Sequence, residues 1–319
     1  MANYKGSPLI DSYRGLLDKS PGELGEIDFA LMNLLCAKGL PGAEGMDVPA
    51  LLAKLDSWAE VVRNETERHL YRVNDPSYGE HYAHSEARLR AEFIVQVLQE
   101  DCGVHYNVER IRDVNFANSQ DMFIHGMVGS NNGGTCASLP VLYTAIARRL
   151  NYPVKLVLAR EHIFMRWDDG KEQFNIDGAG NAGVDYPDDA YYRTWPHPIT
   201  DKMMESGEFL KSLTPAGELS VFLLNRGVCL HENGRFAEAV EAYAAAHRLM
   251  PSATSPRLAL MTAVERMPMP NRERGQGLSN VLEVLNMQRE GHARLRKRLV
   301  ATDDPTPMVP MPGSVPTKP

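Results

Sequence analysis

Apolar residues recur at three- and four-residue spacing through the first third and the last third of the chain, and alternate with period two only in the middle. From Pro8 to Val104, Leu31, Leu34 and Leu35, then Leu51, Leu52, Leu55 and Trp58, mark single helical faces. The breaks at 41–45 and 74–78 separate these helices. Asp47 and Ser85 stand at helix starts, where a short side-chain oxygen accepts an unpaired N–H of the first turn. Residues 1–110 therefore read as a helical lead segment whose role is packing.

The pattern changes between Ile111 and Pro196, and a core spanning residues 111–215 is expected. Leu139, Leu142, Tyr143, Ile146 and Leu150 form one apolar stripe on a helix, with Arg148 and Arg149 near its C-terminus, where the helix dipole favours cations. VKLVLA, HIFMRW and EQFNID follow as three strands. With Asp169-Gly170 as a type I′ turn, Asp168 faces Lys171, Trp167 faces Glu172, and His162 lies directly opposite Asp177. Ile163, Met165, Trp167, Phe174 and Ile176 then share the other, apolar face.

From Leu219 the period returns to that of a helix. Residues 216–268 read as a helical pair, Ser220 to Glu232 and Phe236 to Met250, with a third helix from Ser255 to Arg266 stacked on it. Gly227, Leu230, Gly234, Phe236, Ala239, Tyr243, Ala246 and Pro251 resemble the small, aromatic and helix-ending positions of one tetratricopeptide repeat. One repeat is too few for a free solenoid, so it is expected to lean on the middle segment. A further helix over 269–300 and a disordered Pro-rich tail over 301–319 complete the chain.

Composition narrows the functional classes. A net charge of −7 over 319 residues argues against a general nucleic-acid binder, and the basic run RLRKR from Arg294 to Arg298 reads as a solvated helix face. No stretch approaches the roughly 18 apolar residues of a membrane span, and the first residues lack the apolar centre of a signal peptide. A cytoplasmic protein with no membrane contact is expected. Cys36, Cys102, Cys136 and Cys229 lack C-x-x-C spacing and are expected as free thiols, with no metal and no cofactor. His105, His125, His197 and His231 have no partners at ligand spacing and read as surface or core residues.

Cys136 differs from the other three cysteines. It follows the Gly133-Gly134 pair at the start of a helix, where unpaired N–H groups and the dipole favour a thiolate. Pro140 has no N–H to return to the carbonyl of Cys136, so the first turn is expected to be irregular or to begin late. With His162 and Asp177 on one strand face, the three residues have the types of a nucleophile, its base and an orienting acid. The oxyanion of such a reaction needs the Cys136 N–H and one more donor, for which Asn131, Asn132 and Gln120 are candidates. Tyr186, Tyr191, Tyr192 and Trp195 either wall a substrate cleft or pin a long loop to the sheet.

The block from Gly133 to Gly180 resembles bacterial transglutaminase-like proteins of the papain-like cysteine superfamily, including the invasion-regulator "Sir B" group. The resemblance implies an α+β fold with a helical N-terminal segment, a papain- or transglutaminase-like core of helix plus antiparallel sheet, and C-terminal tetratricopeptide-like helices. It also implies that the nucleophile falls on Cys136, the base on His162 and the acid on Asp177. Many members of the Sir B group lack the cysteine, whereas this chain keeps it. The expected function is a cysteine-dependent hydrolase or acyl transferase acting on a peptide or amide bond, with a protein partner at the tetratricopeptide helices. A non-enzymatic adaptor using those helices is the alternative, and zinc ligation by the same three side chains is a third reading.

Overall fold

The computed structural model describes residues 10–111, 113–178 and 183–267. The expected helix at 269–300, its basic run and the tail at 301–319 lie outside the described residues.

Among the described residues five helices come first: α1 (Tyr13–Leu17), α2 (Pro21–Glu26), α3 (Phe29–Ala37), α4 (Val48–His69) and α5 (Glu86–Glu100). Asp47 and Ser85 cap α4 and α5, accepting the N–H groups of Ala50 and Arg88, and Asp28 caps α3 through Leu31. Leu34, Leu55, Leu89 and Leu98 are fully buried, so the helical stripes become core. Two short turns, α6 (Ser119–Met122) and α7 (His125–Val128), lead into α8 (Leu139–Arg149), which is almost wholly buried. This helix starts at Leu139 with Pro140 in its first turn, where a missing N–H costs nothing.

Strands β1 (Val154–Ala159), β2 (His162–Asp168) and β3 (Gln173–Ile176) form an antiparallel sheet in sequence order. Val154, Leu156, Met165, Trp167 and Ile176 share one buried face. Gly178 continues that face beyond β3, and a β-carbon there would lie 2.9 Å from Val95 of α5 and 3.0 Å from Tyr143 of α8. The apolar face thus rests on the central helix. Val157, Ala159 and Phe164 on the opposite face are covered by Tyr192, Ile199, Phe209 and Leu210, from the segment that holds α9 (Asp189–Tyr192) and α10 (Asp201–Glu205).

The hairpin register departs from the expected one. Trp167 pairs with Phe174, not Glu172, and Asp168 pairs with Gln173, not Lys171. A type I′ turn needs positive φ at both central residues, and of Asp169 and Gly170 only Gly170 has one, at 80°. The Asp169 carboxylate instead accepts the N–H groups of Lys171 and Glu172 at 2.8 and 2.7 Å, which widens the loop. The shift is by two positions, so every side chain keeps its face and only the directly opposed partners change. His162 and Asp177 remain on one face but are not direct cross-strand partners.

Helices α11 (Pro215–Glu232), α12 (Phe236–Leu249) and α13 (Thr254–Arg266) close the described chain. The first begins ahead of the expected Leu219, because Thr214 caps it through Gly217 N–H with Pro215 behind. Ser220 donates to the Ala246 carbonyl, and Gly227 lies against Tyr243, so α11 and α12 run antiparallel. They rest on the core through the Arg148–Glu218 ion pair and on α3 through Phe222, whose ring meets Phe29 edge-on at 5.3 Å. A β-carbon on Gly227 would stand 2.3 Å from the buried Tyr243 ring. Gly227→Ala gains up to about 1 kcal/mol of helix propensity, but overpacking costs roughly 1–3 kcal/mol, so a net loss of about 1–2 kcal/mol is expected in urea unfolding.

Candidate active site

The turn that carries Cys136 is fastened from behind. Thr135 and Ser138 both donate their hydroxyls to the Asp121 carbonyl, at 2.7 and 3.3 Å, while the Ser138 hydroxyl accepts Thr135 N–H. Leu139 N–H returns to Thr135 O at 2.9 Å, so Cys136 sits in a helical turn just ahead of α8. The sequence expectation of a late helix start holds. Gly134 is required behind it, since a β-carbon there would stand 2.4 Å from Leu139 and 2.5 Å from the Met127 sulfur.

His162 begins β2 and is almost fully buried, with 4% of its side chain exposed. Its Nε2–H donates to Asp177 Oδ2 at 2.7 Å, and the ring is also hydrogen-bonded with Cys136. Nε2 being taken by the carboxylate, Nδ1 is left for the thiol. Asp177 is held in place by reciprocal backbone hydrogen bonds with Asp185, both 2.9 Å, and by the Tyr192 hydroxyl, which donates to the same Oδ2 at 2.8 Å. The structure therefore brings Cys136, His162 and Asp177 together in a chain of contacts, thiol to imidazole to carboxylate.

Burial alone would push the His162 imidazole below its ordinary value, but the hydrogen bonds to Asp177 and Cys136 and their charges raise it to about 9. The folded protein then holds the proton that an unfolded histidine loses near 6.5. Its contribution to stability is complete below about pH 6.5 and disappears as pH rises through 9, at a slope of about 1.4 kcal/mol per pH unit. Urea unfolding of the native chain minus that of His162→Ala is expected to narrow over this window; a constant difference would contradict the protonated ring.

The aromatic segment divides in two. Tyr186 packs on Phe174 edge-on and its hydroxyl meets Arg88 and Glu92 of α5, so it pins the loop. Tyr192 and Trp195 belong to the site: Tyr192 lies 5.8 Å from the His162 ring and Trp195 meets it edge-on at 5.0 Å. Arg166 and Asn175, both buried, bind Asp189 at the start of α9 and so fix the helix that bears Tyr192. Of the oxyanion candidates, Asn132 spends its amide on Asp121 at 2.8 Å and Asn131 is exposed.

The residue that sequence reasoning missed is Tyr106. Its backbone joins Gly134 in a parallel bridge, and its phenol oxygen accepts the Cys136 N–H. Of the other histidines, His125 bonds the Gly42 carbonyl, and His197 pairs with Glu161. The other cysteine thiols are pushed up by burial, Cys36 to about 12 and Cys229 to about 11. Among the described residues no group of three His, Cys, Asp or Glu side chains is arranged to hold a metal ion, and no helix is long and apolar enough to cross a membrane.

A family model described as the transglutaminase-like superfamily matches residues 49–215, from the first turn of α4 to the first residue of α11. No curated protein and no solved structure matches the chain.

Proposed function

The chain belongs to the transglutaminase-like superfamily, and from that premise we propose that it is a cysteine hydrolase or acyl transferase acting on a peptide or amide carbonyl through Cys136, His162 and Asp177. The observation that carries this reading is the 2.7 Å bond from His162 to Asp177 on the ring that also contacts Cys136. The Cys136 thiolate attacks the carbonyl carbon, and His162 passes its proton to the departing amine, leaving a thioester. Water or a second amine then attacks the thioester, with His162 taking the proton of the attacking group and returning it to the Cys136 sulfur. Asp177 fixes the ring orientation and stabilises the imidazolium.

Helices α11 and α12 extend the reading to a protein partner. Gly227, Gly234, Ala239 and Tyr243 resemble tetratricopeptide positions, and Gly234 turns the chain with φ 71°. On this reading the chain is of the Sir B type, with its cysteine retained. The adaptor alternative uses these helices alone; a cleft of about 520 Å³ lined by Arg110, Phe116, Ala117 and Glu232 borders the end of α11 and includes none of the three site residues. Val108 and Ile111 stand exposed on the same loop.

p-Nitrophenyl acetate separates the two. The enzyme reading expects release of p-nitrophenolate with an acetyl group left on Cys136, and neither event in Cys136→Ala. A folded native chain that never acquires the acetyl group would leave the adaptor in its place.

A further inference from the structure

We propose that Tyr106 is a catalytic residue whose hydroxyl supplies the second donor to the oxyanion, beside the Cys136 N–H. This rests on the enzyme reading above and extends it to a residue that neither the sequence pattern nor the family match singles out.

The backbone places this side chain firmly. Gly134 N–H donates to His105 O and Asn107 N–H donates to Gly134 O, each at 2.8 Å, so residues 105–107 are stitched to the strand-like segment just ahead of the nucleophile. Gly133 permits the approach: it has φ 77°, and a β-carbon there would stand 3.0 Å from both Asn107 and His105. Asn107 adds its side-chain amide to the Asn132 carbonyl at 2.7 Å. These bonds hold residues 105–107 beside the Cys136 turn and bring the Tyr106 phenol to the Cys136 N–H.

That N–H is the group a carbonyl oxygen must reach when Cys136 adds to the carbon. As the carbon–sulfur bond forms, the carbonyl π pair moves onto oxygen, and the oxyanion needs donors aimed at its new position. In the resting site the phenol oxygen accepts the N–H. When the substrate oxygen takes that N–H, the phenol swings aside by rotation of its side chain and its O–H donates to the same oxyanion. No proton is transferred, so charge balances with Tyr106 neutral throughout. Burial, then the nearby Cys136 charge, pushes the phenol up to about 12, which keeps the donor protonated. Asn132 is not free to compete, since its amide is held by the buried Asp121.

Two reagents on one sulfur test this. Iodoacetamide alkylates a thiolate by displacement and forms no tetrahedral oxyanion; p-nitrophenyl acetate acylates through one. In Tyr106→Phe, acetylation of Cys136 is expected to slow by roughly 100- to 1,000-fold while alkylation keeps its native rate. Equal acetylation in the native and Tyr106→Phe chains overturns the inference alone. Faster acetylation in the variant overturns it too, and marks the hydroxyl as an obstruction at the N–H. Parallel loss of both reactions overturns it by making Tyr106 a support for Cys136. A native chain that is not acetylated at all overturns the enzyme reading itself, and this inference with it.

Discussion

His162→Ala is expected to slow alkylation of Cys136 by iodoacetamide at about pH 6 by roughly 100-fold or more. A free thiol titrating near 8.5 is only about 0.3% thiolate at that pH, and the thiolate is the reactive species. In the native chain an imidazolium that persists to about pH 9 is hydrogen-bonded with the thiol, which favours the ion pair. Removing the ring removes that partner. Asp177→Asn keeps the shape of the contact but removes the charge that helps to hold the ring protonated, so an intermediate rate is expected. Rates followed by mass spectrometry of the Cys136 peptide decide it; a variant alkylated as fast as the native chain would separate His162 from the thiol's reactivity.

Arg148→Ala is expected to cost about 3–5 kcal/mol of stability, because it leaves Glu218 buried without a counter-charge. Glu218 is completely buried, and burial already pushes its carboxyl above the usual range despite the pull of Arg148. The guanidinium also donates to the Val154 carbonyl and lies over the Phe29 ring at 4.5 Å, so it joins α8, β1, α3 and α11. Replacing both partners, Arg148→Met with Glu218→Leu, should recover much of the loss, since no charge then stays buried alone. Guanidinium unfolding at constant slope measures both variants. A loss below about 1 kcal/mol in Arg148→Ala would be that of an exposed pair and would place Glu218 in contact with water.

The sequence made some of this legible and hid the rest for identifiable reasons. Helix caps at Asp47 and Ser85, the late start forced by Pro140 and the three strands follow from local chemistry, and the structure has all of them. The hairpin register does not, because the Asp169 carboxylate captures two N–H groups and widens the loop; dipeptide identity alone is silent on that competition. Period-two alternation still placed His162 and Asp177 on one face, since a two-residue shift leaves faces unchanged. Local sequence makes Arg148 a dipole partner, whereas its role depends on Glu218, which lies far along the chain. Tyr106 was invisible for the same reason, its meaning resting on a bridge to Gly134. The buried Arg166 carried a signal that was overlooked, for a cation amid apolar residues of a central strand needs a partner, and Asn175 and Asp189 provide it.

The central claim is that Cys136, among four cysteines, is made nucleophilic by His162 and Asp177. Its most direct test is the alkylation of the native chain by iodoacetamide across about pH 5 to 10, resolved cysteine by cysteine. At about pH 6 Cys136 is expected to be modified rapidly, while Cys36, Cys102 and Cys229, each pushed up by burial, remain unmodified. A Cys136 that is alkylated no faster than the other three cysteines, and at the same rate in Asp177→Asn, would contradict it.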